Sequence, residues 1–297
     1  MPPPNRTFHC SVPDFSVRSI PDGDIFNVKR ECLITGSEIF RDMFACCDAG
    51  FCVVGTLDED GRMLELDEST PALDALFHLL HATPEWFVVP ENTEQPDFTR
   101  VWQDVIPERV IPCPLLPSLF VLADKYALSP EIVGVLKSHL LAYASVFPLQ
   151  VYGTASVRGF ADIAAEASAY LIHPPLGSYA ADQIRVIPTA EAYHQLVVLH
   201  DFRVRALADV LRKEEIFPHG YGACSRHSPR TRALWEEKKQ TIVGHIEAAT
   251  DVAALMEPLI DEFSYCDVCR RACKAAVAML AYKCAKIPRR IDKVEPE

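Results

Sequence analysis

The chain has 297 residues, 49% of them hydrophobic, with a formal charge of -12 and a pI near 5.3. This length suits two domains with sizeable cores, and the acidic balance argues against a nucleic-acid-binding body, which needs a basic stripe to replace phosphate counterions. No run of eighteen apolar residues is present, so no helix is expected to span a membrane.

Residues 1–11 read as a loose tail. Phe15, Val17 and Ser19 then alternate with Ser16 and Arg18, the period of a short strand. Pro21-Asp22-Gly23-Asp24 signals a turn and Ile25-Phe26-Asn27-Val28 a return strand, which together predict a hairpin. Leu33, Gly36, Phe40 and Met43/Phe44 recur at helical spacing, predicting one helix over about 31–45. Met63-Leu64-Glu65-Leu66 suits a third strand. Thr70 before Pro71 reads as an N-cap with proline at the first helical position, and Leu73, Leu76, Phe77 and Leu80 form that helix's apolar stripe.

Seven prolines between 83 and 118 break every period, so this segment reads as an inserted loop holding Trp86, Phe87, Trp102 and Ile106. Helical order returns at Leu119, and Ser129-Pro130 caps another helix bearing Ile132, Val133, Leu136 and Leu140. Beyond Pro148 strand signals almost vanish. One helix is predicted from Val157 through Leu171, a long one behind Thr189, one around Trp235 to Ile246, and one from about Cys269 to Ile287, stopped at Pro288. The fold class is therefore α+β, with a short three-stranded sheet and helices first and an all-helical domain second.

The order strand, strand, helix, strand, helix, paired helices resembles the BTB/POZ family, and most of all the fungal BTB proteins with a helical C-terminal region. Asp14, Ile25 through Leu33, Ser37, Phe40, Met43 and Phe44 carry the resemblance, with Leu64-Glu65-Leu66-Asp67 and Ala123-Asp124-Lys125-Tyr126 followed by Leu128. It covers roughly residues 12–145, interrupted by the proline-rich insertion, and leaves 146–297 as the helical domain. The resemblance implies a non-enzymatic protein-binding module that self-associates as a homodimer. It also implies that Asp14 and Arg30 occupy the acidic and second basic positions of the dimer groove, with Lys29 where the family has histidine. Asp14 capping a turn, with Lys29 and Arg30 as ordinary surface cations, is the competing reading. Phe15 and Val17 are the further interface candidates. Leu57-Asp58-Glu59 has the hydrophobic-x-Glu shape by which BTB adaptors bind cullin-3, so a ubiquitin-ligase adaptor is the alternative function; a solvated acidic turn is the rival reading.

Motifs for catalysis are missing: there is no Walker or GxGxxG loop, no HExxH and no GxSxG. His78 and His81 are three apart on a helix but border a leucine stripe. Tyr193, His194 and His200 share a helix without a carboxylate or thiol partner at an obvious spacing. No cofactor is expected to be required. The sharpest chemical signal is Cys224-x-x-His227 with, 39 residues after the histidine, Cys266-x-x-Cys269. Two such pairs could close a structural zinc site of three cysteines and one histidine, with His219 and Cys273 as substitute ligands. Inert core thiols, a Cys266/Cys269 redox pair and four unrelated residues are the alternatives. Eleven cysteines behind an opening that lacks a signal-peptide core are expected to be reduced, in a cytoplasmic or nuclear protein with protein partners and neither nucleic acid nor membrane.

Overall fold

A computed structural model describes residues 8–48, 63–82 and 111–294. The chain separates into two units, residues 1–146 and 147–297. The architecture is mixed α+β, mostly helical, with one small sheet. Among the described residues no helix is long and apolar enough to cross a membrane.

In the first unit, β1 (Phe15–Ser19) pairs antiparallel with β2 (Ile25–Val28), from Phe15 opposite Val28 to Arg18 opposite Ile25. The turn closes because Gly23 adopts φ +77, which a side chain would strain, and the Ser19 amide donates to the Asp24 carbonyl at 2.9 Å. β3 (Met63–Leu66) lies parallel to β1 on its other side, giving the order β2-β1-β3. The two-residue period puts Val17, Phe26, Val28, Leu64 and Leu66 into the core, while Arg18 and Glu65 pair on the outer face at 2.6 Å.

Two helices, α1 (Arg30–Gly36) and α2 (Glu38–Asp48), replace the single one predicted over 31–45. Ser37 breaks the period. Its backbone is extended and bridges to Leu128, while its hydroxyl donates to the Tyr126 carbonyl and accepts from the Phe40 amide. A Cβ at Gly36 beside it would lie 2.5 Å from Leu80 Cδ2, so that side chain would have to shift to admit a methyl. α3 (Thr70–His81) also starts differently from expectation: Thr70 is in the first turn, not at the cap. Asp22 from the hairpin turn accepts the Thr70 amide and Asp24 its hydroxyl, both at 2.6 Å. Carboxylates brought from another segment thus satisfy a helix N-terminus.

The helical pair α4 (Leu116–Lys125) and α5 (Pro130–Ala142) completes the unit. α4 begins three residues before the predicted Leu119, because Pro117 fits its first turn. Ser129 caps α5 as expected, accepting the Ile132 amide at 3.5 Å. Phe8, expected in a loose tail, is buried instead, against the rings of Phe77, His78 and His81.

The second unit is helical throughout. The predicted helix from Val157 to Leu171 is two, α6 (Pro148–Arg158) and α7 (Ala161–Ser168), because Gly159 ends the first in the left-handed region at φ +68. Val157 is consequently exposed. A short α8 (Ala181–Ile184) leads to the long α9 (Ala190–Lys213), whose cap, Thr189, accepts the Ala192 amide at 3.1 Å. α10 (Ser228–Val243), α11 (Val252–Met256), α12 (Pro258–Glu262) and α13 (Asp267–Ala285) close around Leu207, Leu211, Trp235, Met256, Phe263 and Leu280. Two buried cations are threaded through this core. Arg203 donates to the carbonyls of Ala248, Ile287 and Pro288, and Lys239 to those of Arg212 and Glu214.

Candidate metal centre

Three closely spaced backbone conformations of positive φ, at His219, Gly220 and Gly222, fold the segment before α10 back on itself. That fold delivers Cys224, and the chain then enters α10 with His227 at its N-cap and Pro229 just inside. The second pair has a parallel construction. After α12 the Cys266 amide donates to the Phe263 carbonyl at 3.1 Å, and Cys266 becomes the N-cap of α13. Cys269 lies one turn further along and is fully buried. Both pairs therefore sit at helix N-termini, where the dipole favours thiolate.

The metal-ligating atoms of Cys224, His227, Cys266 and Cys269 all lie within 4.8 Å of one another. Cys224 Sγ is 3.6 Å from His227 Nδ1 and 3.8 Å from Cys266 Sγ. A tetrahedral ion with sulfur at about 2.3 Å and nitrogen at about 2.05 Å separates its ligands by about 3.6 Å for S···N and about 3.8 Å for S···S. The observed distances are those of a site that can hold a metal, and the cysteines are free, not bridged. Backbone N–H groups of Arg226 and His227 aimed at Cys224, and of Cys269 and Val268 at Cys266, hold both thiols below the usual thiol range. Burial pushes Cys269 the other way.

The two substitute ligands fall outside the cluster. Cys273 is one turn beyond Cys269 in the core, where burial pushes its thiol up to about 12. His219 is exposed in the turn.

Sequence reading missed the groups that fix the ligands. The Thr231 hydroxyl lies 3.0 Å from the His227 carbonyl and 3.3 Å from Cys269 Sγ, and Thr231 is fully buried. Tyr265 sets its ring edge-on to His227 at 5.2 Å and its hydroxyl 3.4 Å from Thr231 Oγ1. Such outer partners orient ligands and tune metal sites. The one available signal was the spacing of Thr231, four residues after His227 on a helix.

The other candidate residues are placed as follows. Asp14 accepts the Arg30 amide at 2.7 Å and so caps α1. Lys29 pairs with Glu31 at 2.7 Å. Arg30 pairs with Asp48 at 2.5 Å and lies 4.4 Å over the Phe44 ring, against which Phe15 packs edge-on. Val17 is fully buried inside its own unit, so its side chain is not available to a partner. Leu57, Asp58 and Glu59 lie outside the described residues, as do Trp86, Phe87, Trp102 and Ile106.

His78 and His81 do not face a common centre. The two ring nitrogens of His81 meet the Phe77 carbonyl and the Lys29 amide, and burial depresses its pKa. His200 faces the Leu171 carbonyl at 2.8 Å. His194 lines a cavity of about 780 Å³ between α6–α7 and α9, whose Asp201 and Arg205 pair with each other at 2.7 Å. Compared with protein-family models and with curated proteins, the sequence gives no match.

Proposed function

We propose that the chain is a non-enzymatic protein-interaction scaffold, with a self-associating BTB/POZ-like first unit and a helical second unit stapled by one structural zinc ion. The observation that carries the interaction reading is the element order, among the described residues, of β1-β2-α1-α2-β3-α3 followed by the α4/α5 pair, which differs from the succession behind the family resemblance by a second helix before β3. Asp14 is exposed and accepts the backbone amide of half-buried Arg30, whose side chain pairs with Asp48. Light scattering tests this. The 33.1 kDa chain runs near twice its mass at micromolar concentration if the reading is right, and a strict monomer overturns it. A further mass increase with the N-terminal domain of cullin-3 would move the assignment to the ubiquitin-ligase adaptor.

Zinc is the ion that three thiolates and one imidazole select by softness and tetrahedral preference. Four protein ligands leave no open position, so its role is structural. The residues would hold it as a bridge between the entry to α10 and the start of α13. One equivalent of zinc per chain, retained through purification without added metal, is the expected result. Its absence after anaerobic purification in reductant would remove zinc from the proposal and leave the first unit's role intact.

A further inference from the structure

The elements that carry the four ligands also carry a concentration of unpaired positive charge. Arg226 precedes His227, Arg230 and Arg232 follow on the first turns of α10, and Arg270, Arg271 and Lys274 follow Cys269 on α13. All six are exposed. Among the described residues none of them has a carboxylate at ion-pair distance, whereas Arg18, Arg30, Lys125 and Lys283 elsewhere each do. The carboxylates of this region, Asp261, Glu262 and Asp267 with Glu236 and Glu237 further along α10, are exposed and pair with none of the six, although Arg271 donates to the Asp267 backbone carbonyl at 3.4 Å.

Arg232 lies over the Phe217 ring at 5.9 Å, but others flank the metal-ligand pairs directly. Arg230 lies 5.5 Å over the Tyr265 ring, which itself meets His227, so the start of α10 and the approach to α13 form one face. The glycine turn belongs to it too, since a Cβ at Gly222 would sit 4.0 Å from that of Ala272 on α13. Tyr221 on that turn is 79% exposed and Tyr265 43%. The charge balance of the chain sharpens the contrast. Residues 1–146 contain 22 acidic and 10 basic side chains, and residues 147–297 contain 19 of each. The second unit is neutral as a whole, yet its metal-bearing face is positive.

Exposed cations without counterions contribute nothing by pairing within the fold, and crowding them together costs self-repulsion. An anionic partner reverses that sign. The guanidinium fork matches a carboxylate bidentately, and clustered arginines are a recurring device for capturing acidic motifs. We propose that this face docks an acidic segment of a partner protein, a run of Asp and Glu side chains, with Tyr221 and Tyr265 providing contact area between the charges. An extended nucleic acid is the poorer fit, because a polyanion longer than the patch meets the field of a chain carrying -12 overall. The inference uses the placement of the two ligand-bearing elements and does not depend on which ion they hold.

The test is fluorescence anisotropy with the full metal-bearing chain, using a labelled deca-glutamate peptide and, in parallel, a labelled ten-nucleotide oligothymidylate. The peptide is expected to bind at 50 mM salt. It should weaken about tenfold or more in the double variant Arg226→Gln/Arg230→Gln, as expected for losing charged hydrogen bonds, and weaken again at 300 mM salt. Arg41→Gln, on the other unit, should leave binding unchanged. Metal content and far-UV circular dichroism check that each variant is folded. If the first pair disturbs the fold, Arg270→Gln/Arg271→Gln on the opposite element makes the same measurement. No peptide binding, equal binding by both double variants and the parent chain, or tighter binding of the oligothymidylate would overturn the proposal.

Discussion

The two units solve the problem of specifying a fold by different means. The first relies largely on short-range rules, with alternation across three strands and a glycine turn placing its apolar side chains on one side, and adds a few long-range polar contacts at Thr70 and Ser37. The second has helices alone, and its arrangement depends on polar groups that meet across long stretches of sequence. Arg203 reaches three carbonyls at 248, 287 and 288, Lys239 reaches back to those at 212 and 214, and the four ligands join segments 39 residues apart. Apolar packing decides that helices associate, but a helix can rotate or slide at small cost when only apolar contacts fix it. Buried donors with assigned acceptors remove that freedom, since each misplacement leaves an unpaired group.

The largest expected effect separates the units outright. A chelator strong enough for zinc, or the variant Cys269→Ala, should melt helix in the second unit and leave the first folded, because metal binding and local folding are coupled. Hydrogen exchange resolved by segment would show protection lost over 228–285 and retained over 15–28. Protection lost in both, or in neither, would remove the contrast.

Next in size are the buried cations. Lys239→Met keeps the stem and deletes three hydrogen bonds, one of them to Glu236 at 3.0 Å, leaving the 212 carbonyl without this donor and that of Glu214 with Trp235 Nε1 alone among side chains. Denaturant melts should show a loss of about 3 kcal/mol, confined to the second unit. Smaller again is a pair of glycine substitutions. Gly153→Ala sets a methyl 2.3 Å from the Val186 carbonyl oxygen, which is backbone and has little room to move. Gly36→Ala meets the end of the Leu80 side chain, which can rotate. The first should cost about 2–3 kcal/mol and the second about 1 kcal/mol, an order that thermal melts would check.

The smallest effect belongs to pH. Burial holds His81 below the ordinary histidine value, and its Nε2 accepts the Lys29 amide at 2.9 Å. The unfolded chain therefore takes up this proton first. Stability is unaffected above the unfolded value near 6.5 and declines as pH falls below it. The Tm of the first unit should drop between pH 7 and pH 5.5, and His81→Gln, which keeps an acceptor but does not titrate, should flatten that drop.

Distance along the chain, in either unit, decides what the sequence could reveal. The hairpin, β3 and the caps at Ser129 and Thr189 were legible because their causes lie within a few residues. The ligand pairs were legible too, since each has its own two-residue spacing. The break at Ser37 was not: it depends on Tyr126 and Leu128, about ninety residues on. Nor were α11 and α12, which are too short to show a helical period. Arg203 and Lys239 gave no signal in the sequence because burial of a cation is decided by acceptors that no local pattern announces. Thr231 escaped because a hydroxyl near a sulfur has no motif of its own.

The 39-residue separation of the two ligand pairs also sets an order of events during synthesis. A pair alone offers two ligands, too few to hold a zinc ion firmly. When Cys224 and His227 leave the ribosome, the proposed ion would have nothing further to bind until α10, α11 and α12 have been made and Cys266 and Cys269 follow. Capture of the proposed ion would thus come late in synthesis.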